Sequence, residues 1–324
     1  MFSVLKCRGL PRLGKYYRNR TVSSCPRKPQ HLICFLQWNE DMVMNIVSSA
    51  ITLKESCKST HFQRWDVLEN CKVTILKEVN EPILSQAVSK AATMLGAYDN
   101  TIWEHVEWGN DYTGRVLSTM TDIIFVSTLT HACVQRLAAR ASVPVVCMRS
   151  RTHASVQALA TVMSVVEDFG CMRGLTVSYL GPPHPVLNSY LLLCPMLGAN
   201  IKFKCCCQNK PISPLLYKES EKMVETTQTI SRSCTAIPEL IGGANVIIAG
   251  SRGDRDTHPE LTVREKDITR NASKQWIFIH SDLRGLNPDD TLVTHTNTRT
   301  FNTFNNYQYI AAALMAFTVK NFKF

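Results

Sequence analysis

Apolar residues fall along this chain in short blocks separated by stretches of helical spacing. Residues 73–76 form a block short enough for a buried strand, and Ile83, Leu84, Ala87, Val88, Ala91, Met94 and Leu95 then recur at the intervals of one helix face. Pro82 suits the first turn of that helix, and Gly96 suits its end. Strands are predicted again at 123–126 and 143–146, with a helix over 134–141 between them. Val156, Leu159, Ala160, Met163 and Val166 then place one stripe on a helix closed by Gly170. Further strands are expected at 175–180, 201–203, 245–249 and 276–280, with an apolar helix over 186–197 and a polar one over 214–230. Helices at 41–53 and 307–317 open and close the series. Strands taking turns with helices in this way predict α/β architecture: two doubly wound, mostly parallel-sheet domains with ligands at the carboxyl ends of the strands.

Composition agrees with packed cores. The chain has 324 residues, enough for two domains, with 45% hydrophobic and 19% charged residues. The longest clean apolar run, 309–317, is far short of the roughly 20 residues of a membrane span, so no membrane partner is expected. Charge changes the picture at one end only. The net charge is +10, yet no acidic residue precedes Glu40, while Lys6, Arg8, Arg12, Lys15, Arg18, Arg20, Arg27 and Lys28 supply eight positive charges, leaving +2 for the rest. An acid-free basic start with Phe2, Leu5, Leu10, Leu13, Tyr16 and Tyr17 interspersed reads as a mitochondrial presequence over 1–30, and the matrix as the destination; the other reading is a basic tail that stays attached. With the charge concentrated there, no nucleic-acid partner is expected. The 13 cysteines lack the paired spacing of a zinc site or disulfide scaffold, and Cys205, Cys206 and Cys207 would point to alternating faces of a strand. Free thiols, no metal and no cofactor are expected.

Several segments carry a resemblance in their wording. Thr113-Gly-Arg115-Val-Leu-Ser-Thr-Met-Thr-Asp122, Ala141-Ser-Val-Pro-Val145, Gln157-Ala-Leu-Ala160, Asn245-Val-Ile-Ile248, Trp276-Ile-Phe-Ile-His280 and Lys320-Asn-Phe-Lys-Phe324 resemble, in order, segments of the ornithine carbamoyltransferases. The resemblance covers roughly 32–324 and implies the carbamoyltransferase fold: a carbamoyl-phosphate domain over 31–152, an amino-acid domain over 153–303, and a C-terminal helix, 304–324, packing back on the first domain. It also implies a homotrimer, or a mixed trimer with an active relative, and a reaction in which carbamoyl phosphate and ornithine give citrulline and phosphate.

Such a site needs arginines, whose planar forks donate bidentately to phosphate oxygens, and a helix N-terminus aimed at the dianion. The position that resembles the family's phosphate motif reads Glu81-Pro82-Ile83-Leu84-Ser85, which keeps only Ser85 as a donor. The next arginine position is Ser127, and the motif histidine is Ala154, with His153 one place earlier and Gln157 retained. The resemblance therefore leaves Gln157, Ser85 and His153 as the carbamoyl-phosphate remnant. In the second half the amino-acid turn reads Gly181-Pro-Pro-His-Pro185, the acid after the next strand is Gly250, and the mobile loop reads Asp254-Arg-Asp256, so no ornithine-binding residue is expected. His280-Ser281-Asp282-Leu283-Arg284 keeps Arg284 and puts Ser281 in place of a cysteine, leaving those two as the catalytic remnant. The expectation is a member of this family whose transfer activity is weak or lost. The rivals are an active ornithine carbamoyltransferase and a transferase with an altered substrate, each using the remnant.

Overall fold

The structure is a computed structural model that describes residues 29–58, 65–104, 106, 108, 112–182, 184–205, 213–250, 261–282 and 291–324. Helix α1 (Glu40–Lys58) leads into strand β1 (Lys72–Lys77), α2 (Pro82–Met94), β2 (Asp99–Trp103), α3 (Thr113–Met120), β3 (Ile123–Ser127), α4 (His131–Arg140) and β4 (Val145–Arg149). The chain continues through α5 (Ser155–Phe169), β5 (Thr176–Leu180), α6 (Pro185–Met196), β6 (Asn200–Lys204), α7 (Pro214–Thr227) and β7 (Ser231–Ser233). It ends with α8 (Ile237–Ile241), β8 (Val246–Ala249), α9 (Glu265–Asn271), β9 (Ile277–His280), α10 (Thr291–Thr294) and α11 (Thr300–Lys320). Two sheets result, ordered β2-β1-β3-β4 and β7-β6-β5-β8-β9, and every pairing in both is parallel.

Strands β1, β3, β4, β8 and β9 are buried almost throughout, and β3, β4, β8 and β9 are almost wholly apolar, because helices cover both faces of their sheets. Helix α5 sits between the sheets, and its residues from Ser155 to Val165 are all buried. It packs on α1, α6 and α11, and it ends where Gly170 takes a positive φ of 81° that a side chain would strain. The closing helix α11 returns to pack on α1 and α2 as well as α5, as the resemblance implied.

Several boundaries differ from expectation, each for a physical reason. The fourth strand begins at Val145, since Pro144 has no N–H to give a ladder and only its carbonyl pairs, with the Ile124 N–H. The polar helix α7 stops at Thr227 because Gln228 turns left-handed (φ 56°), and the chain then adds β7 at the sheet edge. Helix α11 starts at Thr300, so a domain boundary at 303 would cut it. In its first two turns the buried positions Thr300, Thr303 and Asn306 are polar and held by hydrogen bonds: the Thr300 hydroxyl oxygen accepts from the His280 N–H at 2.9 Å, and the Thr303 and Ser164 hydroxyls meet at 2.8 Å.

In each sheet the strand order reverses once, between β1 and β3 and between β5 and β8, and a crevice opens at the carboxyl ends there. In the second sheet Gly181, after β5, and Gly250, after β8, lie against each other at that point. A Cβ on Gly181 would lie 2.8 Å from the Gly250 Cα, and one on Gly250 would lie 2.5 Å from the Tyr179 hydroxyl. Tyr179 is wholly buried and its hydroxyl donates to the Pro182 carbonyl at 3.0 Å, so it has little room to yield. Gly250→Ala is therefore expected to cost about 1–3 kcal/mol through overpacking. A thermal unfolding midpoint equal to that of the parent chain would contradict this.

Candidate functional site: a cleft at the carboxyl ends of the first sheet

The reversal between β1 and β3 opens a cleft of about 650 Å³. Val79 lines it after β1, Thr128, Leu129 and Thr130 after β3, and Arg149, Ser150 and Arg151 at the end of β4. His184, Pro185 and Asn188 supply the opposite wall from the start of α6. These segments meet because parallel strands deliver their carboxyl ends to one edge, and α6 begins there with His184 as its N-cap, whose Nδ1 accepts from the Val186 N–H.

Two carboxylates from the turn joining β1 to α2 engage donors of this cleft. Glu78 Oε2 accepts from the Thr128 hydroxyl at 2.6 Å and from the Leu129 N–H at 2.9 Å. Glu81, the N-cap of α2, forms an ion pair with Arg149, and both side chains are mostly buried. Pro82 at the first helical position removes one N–H that could have faced an anion. The absence of cations expected of this cleft needs correction on one point. Arg149 and Arg151 both line it, contributed by the last residue of β4 and the loop after it and not by α2, and Arg151 is exposed and makes no ion pair among the described residues. The signal was legible as two arginines flanking a serine directly after a buried apolar strand.

The residues singled out from the sequence lie elsewhere. Ser85 and Ser281 are 5% exposed, and neither hydroxyl oxygen has a hydrogen-bond partner. Gln157 donates its side-chain amide to the Ser281 carbonyl, which ties α5 to the end of β9 and spends the amide on the protein's own backbone. Arg284 and the 254–256 loop lie outside the described residues, as do Cys206, Cys207 and residues 1–28.

His153 is 1% exposed. It belongs to a cluster organised by Ser150, whose Oγ accepts from the N–H groups of Thr152 (3.2 Å) and His153 (3.0 Å) and pairs with His131 Nδ1 (3.2 Å). The His131 and His153 rings meet edge to face with centroids 5.1 Å apart. Burial, and secondarily the neighbouring His131, push the His153 pKa down to about 3. At neutral pH His153 is uncharged, so it cannot offer a phosphate the positive charge a rescue would need. Among the described residues there is no cluster of His, Cys, Asp or Glu that could hold a metal ion, and no helix long and apolar enough to cross a membrane.

No protein-family profile matches the sequence. Among solved structures, the chain superimposes on the ornithine carbamoyltransferase of Pyrococcus furiosus with a TM-score of 0.82 over 91% of this chain and 98% of that one, at 18% identity. The mitochondrial ornithine carbamoyltransferase of Coccidioides immitis gives 0.81 over 90% and 98%, at 20% identity. The two parallel sheets and the returning α11 are thus the carbamoyltransferase fold. In sequence, the chain is similar to ornithine carbamoyltransferases. It is 28% identical to the mitochondrial enzyme of Aquarana catesbeiana over 184 residues, which are 52% of this chain and 50% of that one. The Prochlorococcus marinus enzyme is 27% identical over 216 residues, 63% of this chain and 67% of that one. The matched stretches span between half and two thirds of these relatives' lengths.

Proposed function

We propose that this chain is a carbamoyltransferase-fold protein in which carbamoyl transfer to ornithine is lost or very weak, and that it acts by binding or assembly. One observation carries the reading: α2 opens on a glutamate bound to Arg149, followed by a proline, at the position where the resemblance calls for arginines aimed at a phosphate. Ser127, where a further arginine would stand, is wholly buried with its hydroxyl oxygen unpartnered.

The basic, acid-free start of the chain and its similarity to the mitochondrial enzyme of Aquarana catesbeiana support a mitochondrial location, in the matrix. The division into domains near residue 152 follows the same resemblance, as does assembly as a homotrimer or as a mixed trimer with an active relative. A second reading, a changed ligand in place of carbamoyl phosphate, is favoured by Arg149 and Arg151, which bring positive charge to the cleft from a different strand. Citrulline formation from carbamoyl phosphate and ornithine by the purified chain tests the main reading. Turnover comparable to that of an ornithine carbamoyltransferase assayed alongside would overturn it.

A further inference from the structure

Helices α2 and α11 pack along one another, and residues 82–90 of the first and 304–308 of the second leave a groove of about 380 Å³. Ile83, Gln86, Ala87 and Lys90 recur at the spacing of one helix face and form one wall. Phe304 supplies the apolar part of the other, its ring edge to face with Tyr307 at a centroid distance of 5.3 Å. Gln308 beside it is 6% exposed, and its amide already donates to the carbonyl and Oδ1 of Asn305. The α2 wall changes along its length: Ile83 and Ala87 keep its start apolar, and Lys90, one turn beyond Gln86, ends it in an ammonium. Gln86 and Lys90 are exposed, and neither side chain has a hydrogen-bond or ion-pair partner among the described residues. Cys57 of α1 feels the Lys90 charge, yet burial outweighs it and keeps the thiol pKa raised. The thiol therefore stays protonated at neutral pH and leaves the ammonium uncompensated.

A groove of this size, apolar along most of its length and cationic at one end, suits a ligand that is itself two-ended. Pockets of about 300–1,000 Å³ hold small molecules by burying an apolar body and fixing it through a few polar groups. We infer that the groove binds a short carboxylic acid with an apolar tail, its carboxylate at Lys90 and Gln86 and its tail along Ala87, Ile83 and Phe304. From Lys90 back to Ile83 the helix rises about 10 Å, which sets the length of the acid at roughly eight carbons. The charge fixes the direction of binding, because an ammonium bonds strongly to a carboxylate and repels an amine. The groove shares no lining residue with the cleft of Arg149 and Arg151, so this binding is expected whether or not the chain forms citrulline.

A ligand-observed NMR titration of the full chain with sodium octanoate tests this, with butanoate and octylamine as comparison arms. Octanoate is expected to bind saturably, once per chain. Butanoate, which leaves the apolar wall uncovered, is expected to bind at least about tenfold more weakly, and octylamine likewise, because its charge is reversed. Lys90→Gln, at an exposed helix position, is expected to weaken octanoate at least about tenfold, and Lys90→Arg to restore it. Ile83→Glu tests the tail end independently, with the same direction of change, should Lys90→Gln lower the unfolding midpoint. Arg151→Ala is expected to leave octanoate binding unchanged. Octanoate binding that does not saturate, that stays within twofold of the parent in Lys90→Gln and Ile83→Glu, or that is lost in Arg151→Ala would overturn the site. So would an absence of binding joined to a change of sedimentation coefficient in Lys90→Gln, which would assign the groove to a second copy of the chain.

Discussion

Replacing Glu167 with alanine is expected to cost about 3–5 kcal/mol of stability, because it strands a buried ammonium. Lys54, on α1, is 5% exposed and donates all three of its N–H groups: to Glu167 Oε1 at 2.6 Å, Asn302 Oδ1 at 2.7 Å and Asn306 Oδ1 at 2.7 Å. Both asparagines return a bond to Glu167 Oε2 at 2.9 Å, and Asn306 also donates to Ser164. The network closes on itself and joins α1, α5 and α11, tying the closing helix to two of the helices it packs on. Without Glu167 the ammonium keeps only two neutral acceptors, and the unfolding midpoint should fall by at least about 5 °C. Lys54→Met should cost less, since the Glu167 side chain retains 19% of its exposure and both asparagine donors. The double variant should be milder than Glu167→Ala alone, because no unpaired buried charge remains. Equal midpoints for Glu167→Ala and the parent chain would show that the network contributes little.

The same group sets an acid limit. Burial alone would raise the Glu167 pKa, but hydrogen bonds from Lys54, Asn306 and Asn302, together with the Lys54 charge, outweigh it and hold the carboxyl below its ordinary range. A carboxyl with a lowered folded pKa contributes its stability in full above the unfolded value, about 4.3, and loses it as pH falls through the folded value. The acid limb of a stability profile should therefore be shallower in Glu167→Gln than in the parent chain.

The second large effect concerns catalysis. A hydrogen bond to a charged group contributes roughly 1.5–3 kcal/mol, and three such donors are missing from the positions that resemble the family's motifs. Taken together they amount to about 4–9 kcal/mol, treating additivity loosely. That corresponds to a loss of about a thousandfold to a millionfold in rate at fixed substrate. Glu81, which brings a carboxylate to the same helix end, is expected to add to this loss, although Arg149 offsets part of its charge.

Most of the fold could be read from the chain because buried parallel strands are apolar blocks and the helices between them carry one clear stripe. What escaped was polar or peripheral. Strand β2 reads Asp-Asn-Thr-Ile-Trp at an edge of its sheet, where Ile102 is 47% exposed, so no apolar block marks it. Helix α3 buries only Gly114 and Leu117, too few for a stripe. The start of α11 was hidden because Thr300, Thr303 and Asn306 are buried by hydrogen bonds and not by apolarity, a distinction that hydropathy cannot register. The cleft was harder still. Motif positions indicated which cations were missing from α2, but not that β4 would deliver two arginines to the same crevice, nor that Glu78 would turn back onto the donors after β3. Those facts depend on which strand ends become neighbours, and that follows from the strand order.

The most direct test is the rate of citrulline formation by the purified full chain at fixed, sub-saturating carbamoyl phosphate and ornithine, measured beside an ornithine carbamoyltransferase under the same conditions. The account predicts a rate at least about a thousandfold lower. A rate within tenfold of the reference enzyme would contradict it.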